Sequence, residues 1–184
     1  RILWIAVPAA LVVLCLAGMF YLNHEPPPFN PLARATVHAQ AHGHRVVPGY
    51  TATATLIETV EVLLNKRGGY LSNDILPPWV FLDNVPNWEF GVLTQVRDLA
   101  RAMRNDFSRS QTQSTEDLDL SEADPLFHYD NGRWIPPDTE GRYRNGVKAL
   151  ELYLTRLPSP SEQTAQFHAR ADNLTDWPAI VENR

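Results

Sequence analysis

Three histidines within seven positions, in HAQAHGH (38 to 44), are the densest group of chemically versatile side chains in the sequence. His38 and His42 stand four residues apart, so on a helix their rings share a face, a spacing at which two imidazoles can grip zinc or copper. His44 has to swing round after Gly43 to join them. A closed site needs a fourth donor and a catalytic one a general base, yet no Glu follows His38, so H-E-x-x-H is unmet. The competing reading is a helix C-terminus. Gly43 then supplies the stop, and His44 and Arg45 complement the negative end of the helix dipole. That reading asks for no distant ligand and is preferred. No cofactor or metal is expected, and His38, His42 and His44 are the candidates should one bind.

Arg97, Arg101 and Arg104 recur at i, i+4 and i+7, one basic stripe on a helix. The stripe suits an anion, a lipid head group or an acidic partner. It equally suits a solvated face with Asp98 and Asp106 alongside, against which the acidic run Glu116, Asp117, Asp119, Glu122 and Asp124 can fold. That run lacks the glycine and terminal glutamate spacing of a calcium loop. Trp79, Phe81 and Trp88 fall in a loop punctuated by Pro77, Pro78 and Pro86, where they cap a core or line an aromatic pocket. Arg97, Arg101, Arg104, Trp79 and Trp88 are therefore the candidate partner-binding residues.

Other chemistry is thinly provided. No G-x-S-x-G, phosphate-cradling glycine loop or dinucleotide fingerprint is present, so no catalytic residue is assigned. Glu58 and Glu61 are an ordinary i, i+3 pair on a helix, and His128 and His168 are single histidines. The one cysteine, Cys15, lies in an apolar run, which leaves the rest of the chain without a disulfide or a reactive thiol. A formal charge of -5 gives no bulk attraction to nucleic acid.

The elements that hold these residues begin with an uncharged stretch, Ile2 to Leu22. As a helix it is about 31 Å long, against a hydrocarbon core of about 30 Å. Trp4 and Tyr21 lie near its ends, and Pro8 is tolerable in such a span. A retained membrane anchor is expected. A cleaved signal has a shorter apolar region, LAG at 16 to 18 is a weak cleavage site, and Leu14 rather than a small residue precedes Cys15. Ala6 and Ala10 make a weak small-xxx-small docking pattern. Arg1 lies before the span, while Glu25 and then Arg34 come after it. This bias leaves the N-terminus in the cytoplasm and the body in the periplasm of a bacterium.

Beyond the anchor (1–22), residues 23–48 read as a spacer, with PPP at 26 to 28 favouring extended polyproline II that holds the body off the bilayer. Residues 49–157 read as a helical domain. Its first helix starts at a capping box, Thr55 and Glu58, or at Thr51. It carries Leu56, Ile57, Val60, Leu63 and Leu64 on one face and ends at Gly68 and Gly69. A second helix runs from an Asn87 cap to about Phe107 with Val92, Val96, Leu99 and Met103 in rhythm. Residues 108–125 read as a polar linker, and LFHYDNGRWIPP as a small hairpin turning at 130–132. A third helix begins near Asp138 or Thr139, its stripe Tyr143, Val147, Leu150, Leu154 and Leu157, with Gly141 and Gly146 weakening its first turns. SPSE at 159 to 162 opens a further helical segment, 158–184, bearing Ala165, Phe167, His168 and Ala169, with Trp177 in a fifth element. The chain opens on Arg and stops without a terminal cap, so it is expected to be part of a longer protein. The fold class expected is mainly α, a helical bundle with long Pro- and aromatic-rich loops and one small hairpin.

Four stretches in order, GYTATATLIETVEVLLNKRGGYLSND (49 to 74), PPWVFLDNVPNWEFGVL (77 to 93), RDLARAMRNDFSRSQTQSTEDLDL (97 to 120) and WIPPDTEGRYRNGVKALELYL (134 to 154), resemble a bacterial family catalogued as domain of unknown function 2333. The resemblance covers about residues 45 to 157. It implies one N-terminal span and a mostly helical body, and it supplies no reaction, cofactor or catalytic residue. The expected function is a single-pass inner-membrane protein serving as accessory or scaffold subunit of an envelope complex, its partners the bilayer through Ile2 to Leu22 and a membrane protein. The alternatives are an envelope enzyme such as a wall hydrolase, completed outside this fragment, and a carrier or sensor of a small apolar ligand.

Overall fold

The structure is a computed structural model that describes residues 2–109, 116–136, 138–159 and 165–169. Among these residues all regular structure is helical. α1 (Ile2–Leu22) is unbroken across Pro8. From Trp4 to Leu22 it is long and apolar enough to cross a membrane and faces outward almost throughout. From Trp4 onward only its last residue, Leu22, is buried, against Leu71 and Val85 with Trp79 and Leu82 beside them.

The proline run leaves α1 extended and folds back on the body. Residues 26–29 lie against Thr59, Val62, Trp88 and Val92, enclosing a groove of about 350 Å³. The spacer therefore does not project the body outward along its whole length. Its second half is α2 (Pro31–Ala41), started by the Asn30 side chain, which accepts from the Ala33 amide at 3.1 Å, with Pro31 at the first helical position. Ala35 and Ala39 are its buried residues, and being small they let α2 lie close on α3.

α3 (Tyr50–Asn65) starts earlier than a Thr55 capping box requires. Gly49 precedes it at φ +85, a left-handed conformation that glycine adopts without a Cβ clash. The Thr55 hydroxyl instead donates back to the Thr51 carbonyl at 2.7 Å. Its buried stripe includes Leu56, Ile57, Val60, Leu63 and Leu64, and Gly68 and Gly69, both at positive φ, turn the chain after it. A short 3₁₀ turn (Trp79–Phe81) leads to α4 (Asn84–Ala102), which ends in a wider π turn (Met103–Phe107) that buries Met103 and Phe107.

Three expectations need correcting: the polar linker, the hairpin and the helix carrying Ala165 to Ala169. The polar linker contains α5 (Leu118–Phe127), capped by Asp117, whose carboxylate accepts from the Asp119 and Leu120 amides at 3.0 and 3.3 Å. Leu120, Ala123 and Phe127 give it a narrow apolar edge that the surrounding acids obscure. The hairpin does not form either. Leu126 and Phe127 belong to α5, and the turn after it closes on Thr139, whose hydroxyl donates to the Asp130 carbonyl at 2.7 Å. That turn feeds α6 (Thr139–Arg156). Beyond it, residues 165–169 are non-helical, with the His168 amide donating to the Phe107 carbonyl and the Phe167 ring stacked on Phe107 at 5.0 Å. The remainder of the expected further segment, Trp177 included, lies outside the described residues.

The core lies where α3, α4, α5 and α6 meet, around Tyr50, Leu63, Leu93, Met103, Phe127, Tyr143, Leu150 and Tyr153.

Candidate functional site

The end of α3 and the start of α4 meet over a buried charge pair. Lys66 turns its ammonium inward onto the Glu89 carboxylate and the Gly69 carbonyl, and the two charged side chains are 2 % and 0 % exposed. Two ions so far from water are stable only when every lone pair is used. Glu89 meets that demand by accepting from the Leu71 amide at 2.8 Å, the Ser72 amide at 2.7 Å and the Ser72 hydroxyl. The carboxylate thus organises the loop after Gly69 from within.

A second polar layer lies beside it. The Tyr70 amide donates to Glu140 at 3.1 Å and its hydroxyl to the Asn131 carbonyl at 3.2 Å. Its ring meets Tyr143 edge to face at 5.8 Å, and burial pushes both phenols up from their ordinary value. Burial, and then the Glu140 and Glu89 charges, raise the Asp74 carboxyl above the usual carboxylate range. This region is a closed structural hub. Its central acid and base are spent on each other and on backbone amides, with no water-accessible face from which to act on a substrate.

The predicted arginine stripe divides. Arg97 points inward, donating to the Phe127 carbonyl at 2.8 Å, the Tyr129 carbonyl at 2.9 Å and the Tyr143 hydroxyl at 3.4 Å. It caps the C-terminus of α5. Arg101 donates to His128 Nε2 at 2.7 Å, and His128 Nδ1 in turn donates to the Asp124 carbonyl at 2.9 Å. Arg104 holds Glu116 at 2.8 Å and Asp124 at 3.1 Å. Arg109 also pairs with Glu116, and Arg156 with Asp117 at 2.8 Å and with Asp119. The acidic run is thereby stitched to α4 and α6. Trp79 packs beside Leu22, and Trp88 lines the groove under the proline run.

The three histidines stand at the end of α2, where Gly43 takes φ +66. His38 and His42 stack at 4.3 Å with planes 24° apart, so their ring faces meet and their lone pairs do not converge on one point. His38 Nδ1 and His44 Nδ1 share the Tyr50 hydroxyl at 2.9 and 3.3 Å, and His42 Nδ1 donates to the His38 carbonyl at 2.9 Å. Among the described residues no group of three or more His, Cys, Asp or Glu side chains is placed to hold a metal ion. Burial, then the charges of His42 and His44, lower the pKa of His38, so it is neutral at pH 7.

The pair Lys66 and Glu89 is what reading the sequence misses. Its signal is there: Glu89 shares the i, i+4, i+7 and i+11 register of the buried Leu93, Val96 and Ala100. A carboxylate on the apolar stripe of a helix calls for a buried cation, and Lys66 is the one that reaches it.

Compared with known families, the sequence matches over residues 1–184 the one described as "Uncharacterized protein conserved in bacteria (DUF2333)". No curated protein and no solved structure matches it.

Proposed function

The chain belongs to this bacterial family, DUF2333, and on that premise we propose that it is a single-pass inner-membrane protein whose helical body faces the periplasm as an accessory or scaffold subunit of an envelope complex. The observation that carries the reading is α1. It is apolar enough to span, faces outward from Trp4 to Leu22, and joins the body through buried Leu22. The orientation rests on basic charge, with Arg1 directly before the span and Arg34 the first basic residue after it.

The scaffold role is favoured by how the interior is used. Lys66, Glu89 and Arg97 are consumed in holding loops and helix ends. The groove beside Trp88 has Glu25 as its one charged lining residue, too little to position and activate a substrate.

The test has two stages. Alkaline carbonate treatment of membranes is expected to leave the protein in the pellet. Protease added outside spheroplasts is expected to digest the body, while protease on the cytosolic side is not. Release by carbonate marks α1 as a removed signal and ends the anchor reading. Crosslinking in intact cells is then expected to capture a defined membrane protein; a chain that stays monomeric there and in mild detergent ends the scaffold reading.

A further inference from the structure

Between Asp74 and Asp83 the sequence ILPPWVFL carries no charge. Ile75, Leu76, Val80 and Phe81 are each more than half exposed, an apolar group of a size a water-facing loop does not normally present. The loop does not project at random. Pro77 and Pro78 face Leu11, Val12, Leu14 and Cys15 of α1 across one recess, and a Cβ on Gly18 would lie 3.0 Å from the Pro78 ring. Phe81 and Leu82 face Met19 and Phe20 across another. The loop thus runs down the side of α1, with the two prolines at its deepest point.

Helix rise gives the depth. Cys15 and Leu11 lie about 10 and about 16 Å below Leu22, against a hydrocarbon thickness of about 30 Å. At the level of the helix end, the Arg67 guanidinium sits 5.4 Å over the Tyr21 ring, a cation and an aromatic where lipid head groups meet the hydrocarbon. Part of the loop backbone also suits an apolar solvent. Pro77 and Pro78 have no N–H, and the amides of Val80, Phe81 and Leu82 donate to Leu76, Pro78 and Trp79 carbonyls at 3.1, 3.1 and 2.9 Å.

We propose that the loop 75–81 is a second membrane-embedded element, inserted from the body into the outer leaflet alongside α1, with lipid hydrocarbon as its partner. Continuity with α1 selects lipid over a protein partner, because the exposed apolar side chains flank a helix that is itself lipid-facing. The inference rests on the anchor reading above. Arg133, whose carbonyl accepts from the Asn73 amide group at 3.3 Å, brings exposed Trp134 and Ile135 next to the base of the same loop. Those side chains fit the interfacial layer above it.

The experiment uses the full chain in vesicles of phosphatidylcholine and phosphatidylglycerol. A small fluorophore is attached to native Cys15, or, in a Cys15→Ala background, to Phe81→Cys, Val80→Cys or Leu152→Cys. Spin labels on lipid acyl chains and aqueous iodide serve as quenchers. The expected result is severalfold loss of fluorescence to acyl-chain quenchers at Cys15, Phe81→Cys and Val80→Cys, with iodide acting only at Leu152→Cys. Two positions in the loop guard against one variant misfolding. Cys15 quenched by lipid while both loop positions respond to iodide overturns the inference and leaves the anchor standing. Loop positions quenched by neither are covered by protein, which also overturns it. Cys15 insensitive to lipid overturns the anchor reading itself.

Discussion

Glu89 and Lys66 concentrate in two side chains what fastens the loop after α3 to the start of α4. Removing the cation alone strands a carboxylate among amides that cannot neutralise it. Lys66→Met is expected to cost about 3–5 kcal/mol, the usual penalty for an uncompensated buried charge. Adding Glu89→Gln to that variant should recover part of the loss: the buried charge is gone and the amide oxygen still accepts from Leu71, while the amide nitrogen in place of the second oxygen faces the Ser72 amide. Urea unfolding of the two single variants and the double in detergent forms the necessary cycle. Equal losses in the double and in Lys66→Met would mean that charge burial is not what the lysine relieves. At this scale the sequence is legible only in part. The histidine cluster reads correctly as a helix end because Gly43 and the i, i+4 spacing are local facts. Arg97 reads as a surface residue because its partners, the Phe127 and Tyr129 carbonyls, lie 30 and 32 positions away.

Helices show the same division between local and tertiary information. The aliphatic part of the α3 and α6 stripes is foreseen, since a broad apolar face repeats over four or more turns. The buried Tyr50, Thr53 and Ala54 of α3 and Thr139, Gly146, Ala149 and Tyr153 of α6 are not, and Leu157 falls just past the end of α6. α5 is missed because its ten residues leave room for only a narrow apolar edge, Leu120, Ala123 and Phe127, among acids. Gly146 sets local propensity against tertiary packing at a single position. By propensity it weakens α6 by about 1 kcal/mol relative to alanine. In the fold a Cβ there would lie 2.7 Å from Phe127 Cζ and 2.8 Å from Cε1, so the missing side chain is the seat of that ring. Gly146→Ala should therefore lower stability by about 1–2 kcal/mol, overpacking outweighing the gain in helix propensity. Gly91, exposed in α4 with nothing within 4 Å of its would-be Cβ, is the control. Gly91→Ala should raise stability by about 0.5–1 kcal/mol. Thermal melts followed by circular dichroism distinguish the two, and a stabilising Gly146→Ala would show that α5 and α6 do not pack as closely as described.

Over the whole molecule, an acidic chain keeps two kinds of charge-dependent joint, and they respond to acid in different ranges. α2 is fastened to α3 through His38 and His44 on the Tyr50 hydroxyl, with His42 stacked above and Glu58 nearby. His38 has its pKa lowered from 6.5 by folding, so the unfolded chain binds protons more readily there. The stability it contributes is complete above pH 6.5 and is lost as pH falls through the lowered value. α5 is fastened differently, by Glu116, Asp117, Asp119 and Asp124 on Arg104, Arg109 and Arg156. The hydrogen bond from Arg104 lowers the Glu116 carboxyl from 4.5, so the stability Glu116 contributes is complete above pH 4.5 and is lost as pH falls through the lowered value. Hydrogen exchange, corrected for the intrinsic pH dependence of the amide rate, should therefore show α2 losing protection first, below pH 6.5. α5 should keep its protection through that range, until Glu116 protonates below pH 4.5. His38→Gln retains a partner for Tyr50 without the titration and should leave α2 protected across the first range. Simultaneous loss in both helices, or an unchanged α2 transition in His38→Gln, would mean that a charge elsewhere governs how the body opens in acid.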